Sequence, residues 1–338
     1  MKKSILALAI LGAISGAATA QSSVTVFGAV DVGVRSVTND GTTLRSMSTS
    51  GYSPSAIGFR GVEDLGDGLS ANFWLEGQTF VDTGSVDTGK FFGRRATLGL
   101  TGRFGEVRLG RDLNPSYLNL GTFDAFGNLG IGSNLNLLAP ANPLGSGVST
   151  LVRTDNSISY FTPAMGGFYA HVMGAPGEGT PGNQYKAVRI GYADSKLNVA
   201  AAVGVTNTAT DNFTLTNLGA SYDFGVAKVM GIYNVSEFGA KKSTMIGIGA
   251  NAPIGDFWQL RVSAARANAT GAGTDANDAN LFAVGGIYLL SKRTALYGTA
   301  SRIANNNAAA YSIGGAFPSA TNLNRSSTGF EFGVRHGF

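Results

Sequence analysis

Phe330-Glu331-Phe332-Gly333-Val334-Arg335-His336-Gly337-Phe338, the last nine residues, alternate apolar with polar or small positions up to a terminal phenylalanine. A strand with side chains on opposite faces at every step puts Phe330, Phe332, Val334 and Phe338 on one face. Glu331, Gly333, Arg335 and Gly337 take the other, and His336 is the one polar residue on the apolar side. An open aromatic edge strand invites aggregation in water. A barrel in lipid closes that edge against its own first strand.

The first segment after residue 20 carries the same repeat. Val24, Val26, Gly28, Val30, Val32 and Val34 share one face, and Thr25, Phe27, Ala29, Asp31, Gly33 and Arg35 the other. A run of ~10 such residues spans a bilayer when tilted. The alternation recurs at Leu197–Val205, Trp258–Ala264 and Leu281–Leu289. Upstream, Met1-Lys2-Lys3, an apolar run from Ser4 to Ala17 and Ala18-Thr19-Ala20 have the form of a cleaved export signal. The expected mature chain is 21–338. Beyond Ala20 no apolar segment approaches the ~20 residues of a membrane helix.

Composition agrees. Charged residues are 14% of the chain, against ~25% in typical soluble domains. There is no cysteine, which excludes disulfides, thiolate metal sites and cysteine nucleophiles. The net charge of +4 is spread along the chain, with no basic tract interleaved with aromatics, so nucleic acid is not an expected partner.

Tight turns are expected at 64–68, 102–105, 163–166, 193–196, 223–225, 253–256 and 290–293. Longer polar connections fall at about 37–51, 82–90, 112–152, 175–184, 206–212, 235–242, 267–279 and 304–327. Seven tight turns and eight long loops join sixteen strands, an all-β, antiparallel transmembrane barrel with both termini on the tight-turn side. The chain reads as strand and loop throughout, and a barrel of that size holds water.

Four stretches resemble the general porins of Gram-negative outer membranes, particularly the β-proteobacterial ones. They are Ser23–Gly28, Ile57-Gly58-Phe59-Arg60-Gly61-Val62-Glu63-Asp64-Leu65-Gly66, the run from Leu98 through Phe104-Gly105 to Arg111, and the Phe-terminated tail. The resemblance implies a homotrimer in outer-membrane lipid and lipopolysaccharide, with the third loop, about 112–152, folded inward. It implies that Phe338 is read by the barrel assembly machinery, and that small hydrophilic solutes and anions pass through. It implies no cofactor. It also implies wall arginines facing acidic groups of the third loop, a field that sorts ions. Arg60, Arg94 and Arg153 match the wall positions, and Asp124 is the acidic candidate on the loop. Where relatives carry an arginine, this chain has Ala56, which is expected to widen the constriction and weaken an anion preference.

Alternation sends Arg60 and Arg153 inward. Near Arg94 the warrants conflict: with Ala96, Leu98 and Leu100 toward lipid, it is Arg95 that faces the lumen. Glu76 shares the polar face with Asn72 and Gln78, and Arg111 and Asp112 are candidate anchors of the long loop. Asp275, Asn277 and Asp278 have cation-ligand chemistry, but their Ala- and Gly-rich setting reads as a solvated loop, so no metal is expected.

Against this stand a barrel hydrolase, a solute-specific channel for phosphate or a carboxylate, and an adhesion or phage-receptor role for the outer loops. A hydrolase needs a base beside a nucleophile. The chain has two histidines, His171 and His336, and no Gly-x-Ser-x-Gly elbow, so no catalytic residue is assigned.

Overall fold

The structure is a computed structural model that describes residues 23–138, 143–271, 277–315 and 324–338. The expected leader, and Asp275, lie outside these residues. Strands pair antiparallel with their sequence neighbours, and the sheet closes where Ser23–Asn39 meets Ser326–Gly337, from Ala29↔Gly337 to Asn39↔Ser327. Phe338 completes the seam by exchanging backbone hydrogen bonds with Gly28, 3.1 and 3.2 Å. A closed sheet has no edge left to aggregate.

The barrel has 16 strands, built from 18 strand segments. Thr42–Thr49 and Ala56–Gly66 pair with the same edge of the first strand and form one stave broken at 50–55. Ser85–Val86 is a flap on Leu69–Phe80. All seven tight turns lie where the sequence puts them. Two connections differ: within 37–51, Asp40 and Gly41 alone join Ser23–Asn39 to Thr42–Thr49, and at 235–242, Gly239 and Ala240 alone join Lys228–Phe238 to Lys241–Ile254. Cross-strand pairing continues there beyond the lipid-facing part of the strands, and polar composition alone hides it.

The two faces separate as the alternation requires. Val24, Val26, Val30 and Val34 are exposed on the outer face, as are Leu98, Ile158, Phe330 and Phe332. Asp31, Glu331 and Ser159 are buried inside. At Leu281–Leu289 the expected face is reversed. Leu281, Ala283 and Ile287 are buried inside, and Phe282 and Val284 face out.

The reversal has a cause, because half the inner wall is itself an apolar surface. Leu120, Phe123, Phe126, Ile131, Leu137 and Leu151 of the third loop pack there against Phe213, Leu215, Met230, Ile232, Met245, Leu281 and Ile303. Burying one such side chain stabilises by ~1.5–3 kcal/mol, so the loop is held as a hydrophobic layer inside the barrel. It is not wholly irregular: Pro115–Thr122 is a helix, against the expectation of strand and loop only. Asn114 caps it by accepting from the Tyr117 N–H, with Pro115 in the first turn. The Asn114 amide also donates to the Thr150 and Leu151 carbonyls, tying the two ends of the loop together.

Candidate functional site

The loop runs along the inner wall by way of asparagines and glycines. Asn119 donates to the Asn217 side chain at 2.7 Å, Asn217 donates to the Ser116 carbonyl, and Ser263 donates to Asn134 at 2.8 Å. Opposite these, inward glycines leave room for loop atoms. A Cβ at Gly219 would lie 2.0 Å from the Phe123 ring, and one at Gly249 would lie 2.7 Å from the Ala125 Cβ. Arg189 binds the helix from the wall through Asn119 and Thr122.

The uncovered inner wall, on the strands from Ala56–Gly66 to Arg153–Phe161, carries a dense group of charges. Register pairs Glu76 with Arg95, Trp74 with Arg60 and Gly99 with Arg108, so these side chains share the inner face. Arg94 lies in the bend just before the strand Arg95–Gly102. It meets Glu76 at 2.5 Å and Gln78 at 2.9 Å. Both arginines therefore point inward, without a bulge in their own strand. Alternation alone gives Arg95, because Arg94 lies outside the strand.

Arg95 sits 4.6 Å over the Trp74 ring and 3.6 Å from Asp112. Arg60 stacks on the Phe27 and Trp74 rings, 5.2 and 5.3 Å away, and has no carboxylate partner among the described residues. Arg108 bridges Glu106 at 2.8 Å and Asp112 at 2.6 Å. A bulge at Gly110–Asp112 re-aims Arg111, which meets Asp155 at 2.6 Å and donates to the Gly93 carbonyl. Lys90 also binds Asp155. Arg153 donates its Nε–H to the Arg94 carbonyl at 2.7 Å. It too has no carboxylate partner among the described residues. Tyr117, on the loop helix, is the nearby phenol, and burial pushes its pKa up.

The wall thus gathers Arg60, Arg94, Arg95, Arg108, Arg111, Arg153 and Lys90 against Glu76, Glu106, Asp112 and Asp155. The loop does not mirror it with acids. Between Asn114 and Val152 the sole charged residue is Asp124, and it is buried, 5% exposed. Its carboxylate accepts from the Phe126, Asn128 and Asn134 N–H groups and, at 2.6 Å, from the Ser133 hydroxyl. Asp124 therefore organises the loop and does not face the pore. Burial raises its pKa, and those hydrogen bonds pull it part of the way back.

Ala56 leaves no gap of the kind expected, because it is itself buried at 6%. The inward bend at 50–55 lies beside it, pinned where Asp31 accepts from the Tyr52 and Ser53 N–H groups. His171 is buried and stacked on Phe161, with Ser159 at 3.3 Å. The family motifs do not point to Trp74, Arg108 or Tyr117. Counting two steps from Glu76 and Glu106 on the inner faces finds Trp74 and Arg108. For Tyr117 the Asn-Pro cap was the available signal.

Comparison with known proteins agrees with this architecture. The family model described as Gram-negative porin matches residues 7–308. Outer membrane porin protein 32 of Delftia acidovorans is 39% identical over 358 residues, covering 100% of both chains. The solved anion-selective porin from Comamonas acidovorans superposes with a TM-score of 0.83 at 34% identity, covering 94% of this chain and 100% of that one. OmpT of Vibrio cholerae in its trimer form shares the fold, with a TM-score of 0.69 at 14% identity over 94% and 99% of the chains. A closed barrel, lipid-facing outside and charged inside, together with a family match over most of its length, makes this chain a member of the Gram-negative porin family and a multi-pass outer-membrane channel protein.

Proposed function

We propose that the pore passes small hydrophilic solutes with a mild preference for anions, set by an excess of wall cations facing a loop without exposed charge. The observation that carries this reading is the pairing pattern: Arg60 and Arg153 have no carboxylate, while the loop's one acid is buried. An excess of positive potential in a narrow aqueous passage raises the local anion concentration. Arg94 and Arg153 act at the constriction made by loop 112–152 and Arg60 further along the wall; Glu76 holds Arg94, Arg111 pins the bend at Gly93, and Arg95 adds to the positive wall. The anion-selective Comamonas structure supports the sign.

The working unit is a homotrimer of mature chains starting at Gln21, and Phe338 is the residue read during assembly. The trimer form of a relative supports the first of these. Porin family and fold are those of channels rather than enzymes.

The test is the reversal potential of the refolded protein in planar bilayers across a tenfold KCl gradient. A chloride-preferring potential is expected, and Arg153→Ala should move it toward zero. Arg94→Ala should move it further, because it also frees Glu76. A cation-preferring wild type would overturn the reading.

A further inference from the structure

Arg60 stands apart from the other cations of the charged wall. It is exposed to the lumen and makes no hydrogen bond or ion pair among the described residues. Arg153, which also lacks a carboxylate, gives its Nε–H to a backbone carbonyl. Register sets Arg60 between Thr25 and Trp74, one inward row nearer the tight turn at 64–68 than Glu76 and Arg95.

What surrounds Arg60 is aromatic. The Phe27 and Trp74 rings meet edge to face with centroids 4.7 Å apart. The Arg60 guanidinium carbon lies 5.2 and 5.3 Å from those centroids. Phe27 reaches Trp74 by lying across Gly58, where a Cβ would come within 2.4 Å of the ring. Trp74 is fixed from its other end, because its indole N–H donates to Glu76 at 2.9 Å. Both rings are half-buried, so part of their apolar surface faces the pore instead of a core.

A ring attracts a guanidinium through its charge, and the in-plane N–H groups stay free for a planar two-oxygen acceptor. A carboxylate held by Arg60 lies beside the two rings, so the group attached to it comes against them. A polyol or hydroxy acid would set hydroxyls against ring surface that offers no hydrogen-bond partner. A flat aromatic ring gains an edge-to-face or offset contact in the same place.

We propose that Arg60, Phe27 and Trp74 form a subsite in the lumen for small planar aromatic carboxylates, of which benzoate is the simplest. The subsite rests on the reading of the pore as an anion passage and names a class of solute for it. Arg60 holds the carboxylate, and the two rings hold the aromatic body. Chloride has no ring to place there, so selectivity in KCl stays with the summed field of the wall.

The test compares benzoate with cyclohexanecarboxylate, which has the same charge and ring size but no π face. Each is titrated into 0.1 M KCl on the tight-turn side of single channels of the full mature protein, and the concentration that halves its effect on the current is read. Benzoate should act at about fivefold lower concentration, the contribution of one ring contact. Phe27→Leu/Trp74→Leu should erase that difference and leave the response to cyclohexanecarboxylate. Gly58→Leu, which displaces the Phe27 ring without removing it, should reduce the difference. Arg60→Gln should weaken both carboxylates alike. Heat-modifiable mobility and open-channel steps in plain KCl establish that each variant is folded. Equal action of the two carboxylates on wild type overturns the proposal, and that comparison needs no variant. So does a benzoate preference that survives loss of both rings. The two readings fail separately: a cation-preferring reversal potential in KCl overturns the anion passage, whereas an anion-preferring one without benzoate preference overturns the subsite alone.

Discussion

Asp124 shows how a charge can serve a pore without facing it. Four donors converge on one buried carboxylate, and in Asp124→Ala all four lose their acceptor. A buried donor left unpaired costs ~1–3 kcal/mol, enough to undo the turn at 124–134 while the barrel stands. The expected outcome is an intact, heat-modifiable barrel whose single-channel current is noisier and whose loop is nicked by elastase. The pH dependence has a definite sign. A carboxyl whose pKa is raised by docking favours the docked loop most when protonated, so its contribution is complete below the ordinary value of 3.8. It is lost as the pH rises through the raised value. Current noise in wild type should therefore fall as the pH is lowered toward 3.8, and the Asp124 share of that change should vanish in the alanine variant. A rise in wild-type noise on acidification, specific to Asp124, would contradict this.

The elements were legible to different degrees, and the reason is which face each one presents to what. Strands with lipid on one side and water on the other, such as Val24 to Val34, alternate cleanly and read directly. Leu281–Leu289 does not, because its inner face packs the third loop and both faces are apolar. The tight turns carry glycine or proline signals and were readable, whereas Gly239-Ala240 sat within a polar stretch that looked like a longer loop. Site residues at regular strand positions, Arg60, Arg95 and Arg153, followed from alternation. The orientations of Arg94 and Arg111 depend on a bend and a bulge, which sequence does not announce. The loop itself depends on wall glycines whose meaning is visible only once the loop lies on them. Gly219 is the sharpest case, since any side chain there meets the Phe123 ring. Gly219→Leu should lift the helix end off the wall and expose the loop to chymotrypsin. It should also change unitary conductance by a factor of about two while leaving the far-ultraviolet spectrum of the barrel unaltered. Unchanged conductance and protease resistance would show that the glycine is not what seats the loop.

At the scale of the molecule, closing the sheet allows an interior this wide. It also divides that interior into a dry half, filled by the loop, and a charged half that water and ions can use. The seam where Gly28 meets Phe338 makes the ring complete, and the arginine wall then acts as a fixed surface charge rather than a set of binding sites. A fixed charge is screened by the salt it attracts. The Debye length falls from ~10 Å at 0.1 M to ~3 Å at 1 M, less than the span of the charged wall. If selectivity arises from the summed field of Arg60, Arg94 and Arg153, it should be strongest in dilute salt and fade toward the ratio of bulk mobilities at 1 M. If it arises from tight coordination of one anion by a pair of guanidiniums, it should persist at 1 M, and conductance should saturate with concentration. Reversal potentials at a fixed tenfold gradient, taken from 10 mM to 1 M KCl, separate the two. The stacking of Arg60 on aromatic rings and the pairing of Arg94 with Glu76 commit two of these three arginines to other partners. The expected result is a potential that shrinks steadily with salt and a conductance that does not saturate.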